Sequence, residues 1–116
     1  MLIKRYTEIE PAHINHETAT GITGRVVIGK KDGANNYCMR VFEIAPAGIT
    51  TQHSHAWEHE IFVHSGKGEI FSDGQWHKIM SGTVVFVPEN EVHQLRNTGK
   101  ELLTVVNIIP SDTPEL

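Results

Sequence analysis

An all-β fold, an antiparallel sandwich or barrel with the jelly roll among its forms, is what this sequence predicts, on three observations. Segments rich in β-branched and aromatic residues recur at short, regular intervals. The residues between them are turn formers, and Asp73-Gly74 is the sharpest of these signals, the dipeptide of a type I′ hairpin. No stretch keeps a helical apolar period over a useful length.

In chain order, residues 8–20 (EIEPAHINHETAT) show no clear alternation and are expected to be irregular. Arg25–Ile28 reads as a strand running into the turn KKDGANN, and Asn36–Ile44 (NYCMRVFEI) as a strand that stops at PAG. Trp57–His64 leads into the Gly-rich connection SGKG, and Glu69–Ser72 and Gln75–Ile79 flank the Asp-Gly turn. Val84–Val87 stops at Pro88, Val92–Arg96 stops at NTGK, and Leu102–Ile109 is the last strand, ended by Pro110 and a polar tail. Many short strands with regular turns are the pattern of sandwiches and barrels. At 116 residues the chain is read as one domain, 1–116, with an N-terminal arm over about 1–20 and a barrel over about 21–110.

Composition narrows the function. A formal charge of −4 and the lack of any basic run argue against nucleic acid as a partner. The longest apolar runs, Thr83–Val87 and Val105–Ile109, are too short to cross a membrane as a helix. The N-terminal MLIKRYTEIEPAH lacks the apolar core and cleavage site of a secretory signal, and the single cysteine, Cys38, suits a reducing compartment. The expected location is cytoplasmic, and Cys38 is read as a small core residue.

Four of the eight histidines fall in TQHSHAWEHEIFVHSG. Strand side chains alternate faces, so His53, His55, Trp57, His59, Ile61 and Val63 would share one face if residues 53–63 kept a single register; a bend near Ala56 would break it. Three imidazoles turned inward each need a partner, because an unpaired buried polar group costs roughly 1–3 kcal/mol. One metal ion satisfies all three, although an isolated His-x-His is as often a surface pair. His93, following GTVVFVPENEV, is a fourth candidate. His13, His16, His64 and His77 are read as surface or loop residues, and Glu58 and Glu60 as a solvated face. Asn107 lies in the apolar run LLTVVNII, where a buried amide needs a partner. Arg40 is the one positive residue near a barrel strand, with an exposed strand position its equal alternative.

The two histidine segments together resemble the two motifs of the cupin superfamily. In the first, AGITTQHSHAWEHEIFVHSG supplies His53, His55 and the closing Gly66. His59 stands where the family usually has a glutamate, and Ala47 occupies the opening glycine position. In the second, Gly82, Pro88, His93 and Asn97 fall in register, with Asn90 in place of the internal glycine. Both residue types tolerate the left-handed conformation. The match spans residues 47–97 and is similar to small single-domain four-histidine cupins.

That resemblance implies an antiparallel double-stranded β-helix, a jelly-roll barrel, holding one divalent transition metal on His53, His55, His59 and His93. Manganese or iron is the expected ion, with nickel, cobalt, copper and zinc as alternatives. Four neutral ligands leave the ion its full charge, so it should bind a small anionic enediol or dicarbonyl substrate. The resulting expectation is a dioxygenase-like oxidoreductase; a non-enzymatic sensor or binding module and a metal-dependent isomerase are the alternatives. Alignment to four-histidine cupins places Thr50, Val105 and Asn107 beside Ile61 and Leu95 in the pocket; Asn107 and Thr50, with Arg40 as the positive residue near a barrel strand, are the candidate catalytic residues. A homodimer is expected, with Phe62 and Phe86 on the outer face of the sheet.

Overall fold

The computed structural model describes residues 1–116. Nine antiparallel strands build it: β1 Ala12–His16, β2 Ala19–Ile28, β3 Tyr37–Ile49, β4 His59–Ser65, β5 Lys67–Ser72, β6 Gln75–Met80, β7 Val84–Val87, β8 Gln94–Arg96 and β9 Leu103–Pro110. No α-helix forms, and two single 3₁₀ turns, Tyr6–Glu8 and Lys30–Asp32, are the other regular elements. The strands run β6-β5-β8-β3-β9-β4-β7, with β2 also on β3 and β1 on β2. This is the expected jelly-roll barrel of a single domain.

The turn chemistry explains most boundaries. Asp73 and Gly74 both take positive φ (52° and 79°), as a type I′ turn demands, and β5 and β6 pair in register around them. β3 does not stop at PAG. It continues to Ile49 because Ala47 adopts φ 66° and its N–H reaches Asn97, letting the strand bend and pair with β8. The segment expected to be irregular forms β1 and the start of β2, a hairpin with Ala12 opposite Gly24 and Ile14 opposite Ile22.

Alternation along β4, β9 and β3 turns one row of side chains inward. Ile44, Val63, Leu103 and Val105 are fully buried, and Ile22, Ile61, Ile70, Ile79, Val87 and Leu95 complete the core around them. Each such side chain contributes about 1.5–3 kcal/mol of transfer free energy. Cross-strand ion pairs brace the partly exposed sides, Arg25 with Glu43 at 2.6 Å and Arg96 with Glu69. Cys38 is buried, as expected, and burial followed by the nearby Glu115 charge pushes its thiol up. Phe62, Val84 and Phe86 stand exposed on the outer face of β4 and β7.

Candidate metal centre

His59 opens β4 and points inward with Ile61 and Val63, so the alternation holds from 59 onward. It does not hold from 53. Residues 54–58 leave the sheet with a bend at Ala56–Trp57, because the His55 carbonyl accepts the Asn90 N–H at 2.5 Å instead of joining the ladder of β4. Asn90 takes φ 65°, the left-handed conformation its motif position requires. His53 is tied to the second motif directly: its N–H donates to the His93 carbonyl (3.1 Å), and the His93 N–H returns the bond (2.9 Å). Thus two segments far apart in sequence are held side by side at one end of the barrel.

Their rings meet there. Centroids lie 4.3 Å apart for His53–His55, 4.5 Å for His53–His93, and 5.2 Å for His55–His93. His53, His55 and His93 bring one ring nitrogen each within 4.8 Å of the others, a cluster that could hold a metal ion. His59 closes in from another side, 4.6 Å from His93 and 5.2 Å from His55.

In His53, His59 and His93 the Nδ1 atom faces outward, against an oxygen that can only accept. His53 Nδ1–H donates to the Thr51 carbonyl (2.5 Å), His93 Nδ1–H to the Glu91 carbonyl (2.9 Å), and His59 Nδ1–H to Asn107 Oδ1 (3.2 Å). Carrying the proton on Nδ1 leaves Nε2 as a bare lone pair. The Nε2 atoms of His59 and His93 are buried with no hydrogen-bond partner. His55 is oriented by stacking, its ring parallel to the Trp57 indole at 4.7 Å. Outward protons and orphaned inward lone pairs are the arrangement of metal-binding imidazoles, so the residues present fit a cation.

Electrostatics agree. Burial, with the charges of His53, His93 and Arg40 adding to it, lowers His55 to about 4. Burial, His93 and smaller contributions from His55 and Arg40 lower His59 to about 4, against the opposing Asn107 bond. Burial lowers His93 against the pull of its Glu91 carbonyl bond. Neutral imidazoles at neutral pH are the form a metal requires.

Above the rings lies a cavity of about 230 Å³. Of the residues expected in it, Ile61, Leu95, Thr50, Arg40 and Asn107 line it. Val105 does not. It is fully buried in the core, opposite Phe42 on β3, and Phe42 lines the cavity instead. Thr50 spends its hydroxyl on the barrel: Oγ1 accepts the Leu95 N–H at 2.8 Å and donates to the Leu95 carbonyl at 3.4 Å. Asn107 holds His59. Arg40 reaches into the cavity and is not a simple exposed strand residue, with its guanidinium lowered by burial. Sequence reasoning missed Ile14, His16 and Leu116 at the mouth. His16 is exposed, as expected, yet belongs to this rim. Asn97 closes the second motif structurally, donating from Nδ2 to the Ile44 and Glu101 carbonyls at 2.8 and 2.7 Å.

The family model for the cupin domain matches residues 40–109. The fold is similar to that of the polyketide cyclase RemF from Streptomyces resistomycificus, at 27% identity and a TM-score of 0.91, over 98% of this chain and 82% of that one. A predicted oxalate decarboxylase from Thermotoga maritima is 24% identical with a TM-score of 0.83, over 95% and 99%. A cupin-2 domain protein from Rhodospirillum rubrum is 19% identical with a TM-score of 0.84, over 97% and 76%. No curated protein matches the sequence.

Proposed function

The chain belongs to the cupin domain family, and from that premise we propose that it is a metal-dependent enzyme acting on a small, enolisable dicarbonyl or enediol. The observation that carries this reading is the pair of buried, unpartnered Nε2 atoms on His59 and His93 at the floor of the cavity. All four imidazoles, His53, His55, His59 and His93, are taken as ligands through Nε2. Held by these side chains, a divalent ion would supply Lewis-acid polarisation of substrate oxygens and, if redox-active, a route to dioxygen chemistry.

The chain's own residues supply the rest. Thr51, Glu91 and Asn107 fix the tautomers of His53, His93 and His59, so these three need move no proton before a cation binds. Ile22, Ile61, Leu95 and Phe42 form an apolar wall, and in such surroundings opposite charges attract more strongly than in water. With about 230 Å³ the cavity falls below the ~300–1,000 Å³ of sites for drug-sized ligands, which suits a small substrate.

Two chemistries are open to such a site, distinguished by whether dioxygen is consumed. The likeness to RemF, a polyketide cyclase, at 27% identity over 98% of this chain, supports a cyclase-like use of the ion as a Lewis acid. The apolar wall supports the dioxygenase-like reading, since it admits a nonpolar gas. Incubation of the metal-loaded protein with linear and cyclic 1,2- and 1,3-diketones, with and without air, tests both. Turnover that consumes oxygen selects the oxidoreductase; turnover in its absence selects the Lewis acid. No metal-dependent change in any diketone spectrum would sink the enzyme reading and leave a binding module.

A further inference from the structure

Three arginines sit partly buried on the strands of this barrel, and one is unlike the others. Arg25 holds Glu43 at 2.6 Å and uses its Nε on the Ile9 carbonyl. Arg96 holds Glu69, with its Nε also hydrogen-bonded to that carboxylate. Arg40 has no carboxylate within ion-pair distance, and no aspartate or glutamate lines the cavity it enters. Its guanidinium lies 5.0 Å over the Phe42 ring, its Nε is buried without a partner, and Nη1 makes one long contact, 3.5 Å, to the Glu115 carbonyl.

An unpaired charge taken out of water costs several kcal/mol, more than one ring face and one long neutral hydrogen bond offset. The guanidinium fork matches a carboxylate through two parallel N–H donors. We propose that Arg40 binds a carboxylate of the substrate, remote from the oxygens held at the histidine cluster. The chelating end rests on the function proposed above; the carboxylate end rests on Arg40 alone.

The two ends are carried by different strands. Arg40 on β3 lies opposite Asn107 on β9, which lies opposite Ile61 on β4, the strand that carries His59. Two strand spacings make about 10 Å between β3 and β4. That spacing separates the backbones; the Arg40 side chain reaches into the cavity it shares with His53, His55, His59 and His93, so a ligand that serves both ends is a small dicarbonyl acid that fits this one cavity. The Glu115 carbonyl occupies part of the arginine's donor field, while the Glu115 side chain is held elsewhere, on the Lys30 N–H at 2.9 Å. An entering carboxylate replaces one weak, neutral contact with a charged pair.

The test uses 4,6-dioxoheptanoate and its neutral counterpart heptane-2,4-dione, titrated calorimetrically into the metal-loaded full chain, and pentanoate titrated into the chelator-stripped chain. Wild type should bind the acid at least tenfold more tightly than the neutral diketone. Arg40→Gln should abolish that preference without changing affinity for heptane-2,4-dione, and Arg40→Lys should retain part of it. Because Arg40→Gln removes an unpaired buried charge, its ligand-free melting temperature should equal or exceed that of wild type. Pentanoate should bind the stripped wild type more tightly than stripped Arg40→Gln. Equal pentanoate binding by these two proteins, or equal loss of both diketones in Arg40→Gln, overturns the carboxylate assignment. Arg40-dependent pentanoate binding with no metal-dependent diketone binding upholds it and removes the chelate reading instead.

Discussion

Asn107 and His59, on neighbouring strands β9 and β4, are joined by a buried hydrogen bond in which His59 Nδ1–H donates to Asn107 Oδ1 at 3.2 Å. This single contact answers why an amide stands in the run LLTVVNII, and it sets which nitrogen of His59 is free. Removing such an orienting partner typically costs 10–100-fold in metal affinity. Asn107→Leu should therefore weaken metal binding by about that factor, measured by competition with a chelator of known affinity. Asn107→Asp, which makes the imidazole more basic, should not weaken it. Unchanged affinity in Asn107→Leu would mean that His59 is not a ligand.

His55 sits within reach of His53, His59 and His93, and its ring is held by stacking rather than by a structural hydrogen bond. His55→Ala should lose most of its bound metal while keeping a β-rich circular dichroism spectrum. For wild type, free metal at about a hundred times its dissociation constant should add about 2.7 kcal/mol of stability. In a domain of this size that is a rise in melting temperature on the order of 10 °C. Equal melting midpoints with and without chelator, in protein shown to carry stoichiometric metal, would place the ion elsewhere.

Acid should destabilise the metal-free protein within a definite window. Burial holds His55 and His59 at about 4 and lowers His93, while the same groups titrate near ~6.5 in the unfolded chain. Between those values the unfolded state binds more protons, so folding stability rises with pH. The contribution is complete above about 6.5, falls as pH drops through the window, and levels off below about 4. Urea denaturation of chelator-stripped protein from about pH 4.5 to 7.5 measures it. A flat profile would show that the histidines are not buried neutral.

Ala47 and Gly66 make a matched pair of backbone tests. Ala47 has φ 66°, where a side chain costs about 1–2 kcal/mol, and glycine gives back part of that gain through its freer unfolded chain. Ala47→Gly should stabilise by up to about 1 kcal/mol. Gly66 has φ 87°, and an added Cβ would strike the Leu102 carbonyl. Gly66→Ala should destabilise by more than about 2 kcal/mol, the sum of a backbone strain and a steric clash. Thermal melts in which both variants moved the same way would contradict the two strain assignments.

Most of the barrel was legible because its signals are local. Asp73-Gly74 dictates a turn by its own dihedral preferences, and Pro88 follows the end of β7, whereas at Pro46 the bend at Ala47 carries β3 onward to pair with β8. The cluster of His53, His55 and His93 was legible by spacing, although not by strand alternation, which the Asn90–His55 contact interrupts. What escaped was set by distant pairing. Ile14 and His16 reach the cavity rim only because β1 folds back on β2, and EIEPAHINHETAT carries too many polar residues to announce a strand. Phe42 rather than Val105 lines the cavity because cross-strand packing, invisible in one dimension, puts the larger ring in front.

The indole of Trp57 lies flat on the His55 imidazole, 4.7 Å away and only 4° from parallel. The chain's second tryptophan, Trp76, sits on β6 under the Arg96 guanidinium at 3.7 Å. The protein therefore carries its own optical gauge of occupancy at the histidine centre. An open-shell ion on His55 would drain the excited state of Trp57 and dim its emission, whereas closed-shell zinc would leave it bright. In a Trp76→Phe background the whole indole fluorescence would come from that one ring, and filling of the centre could be followed in real time without any added dye.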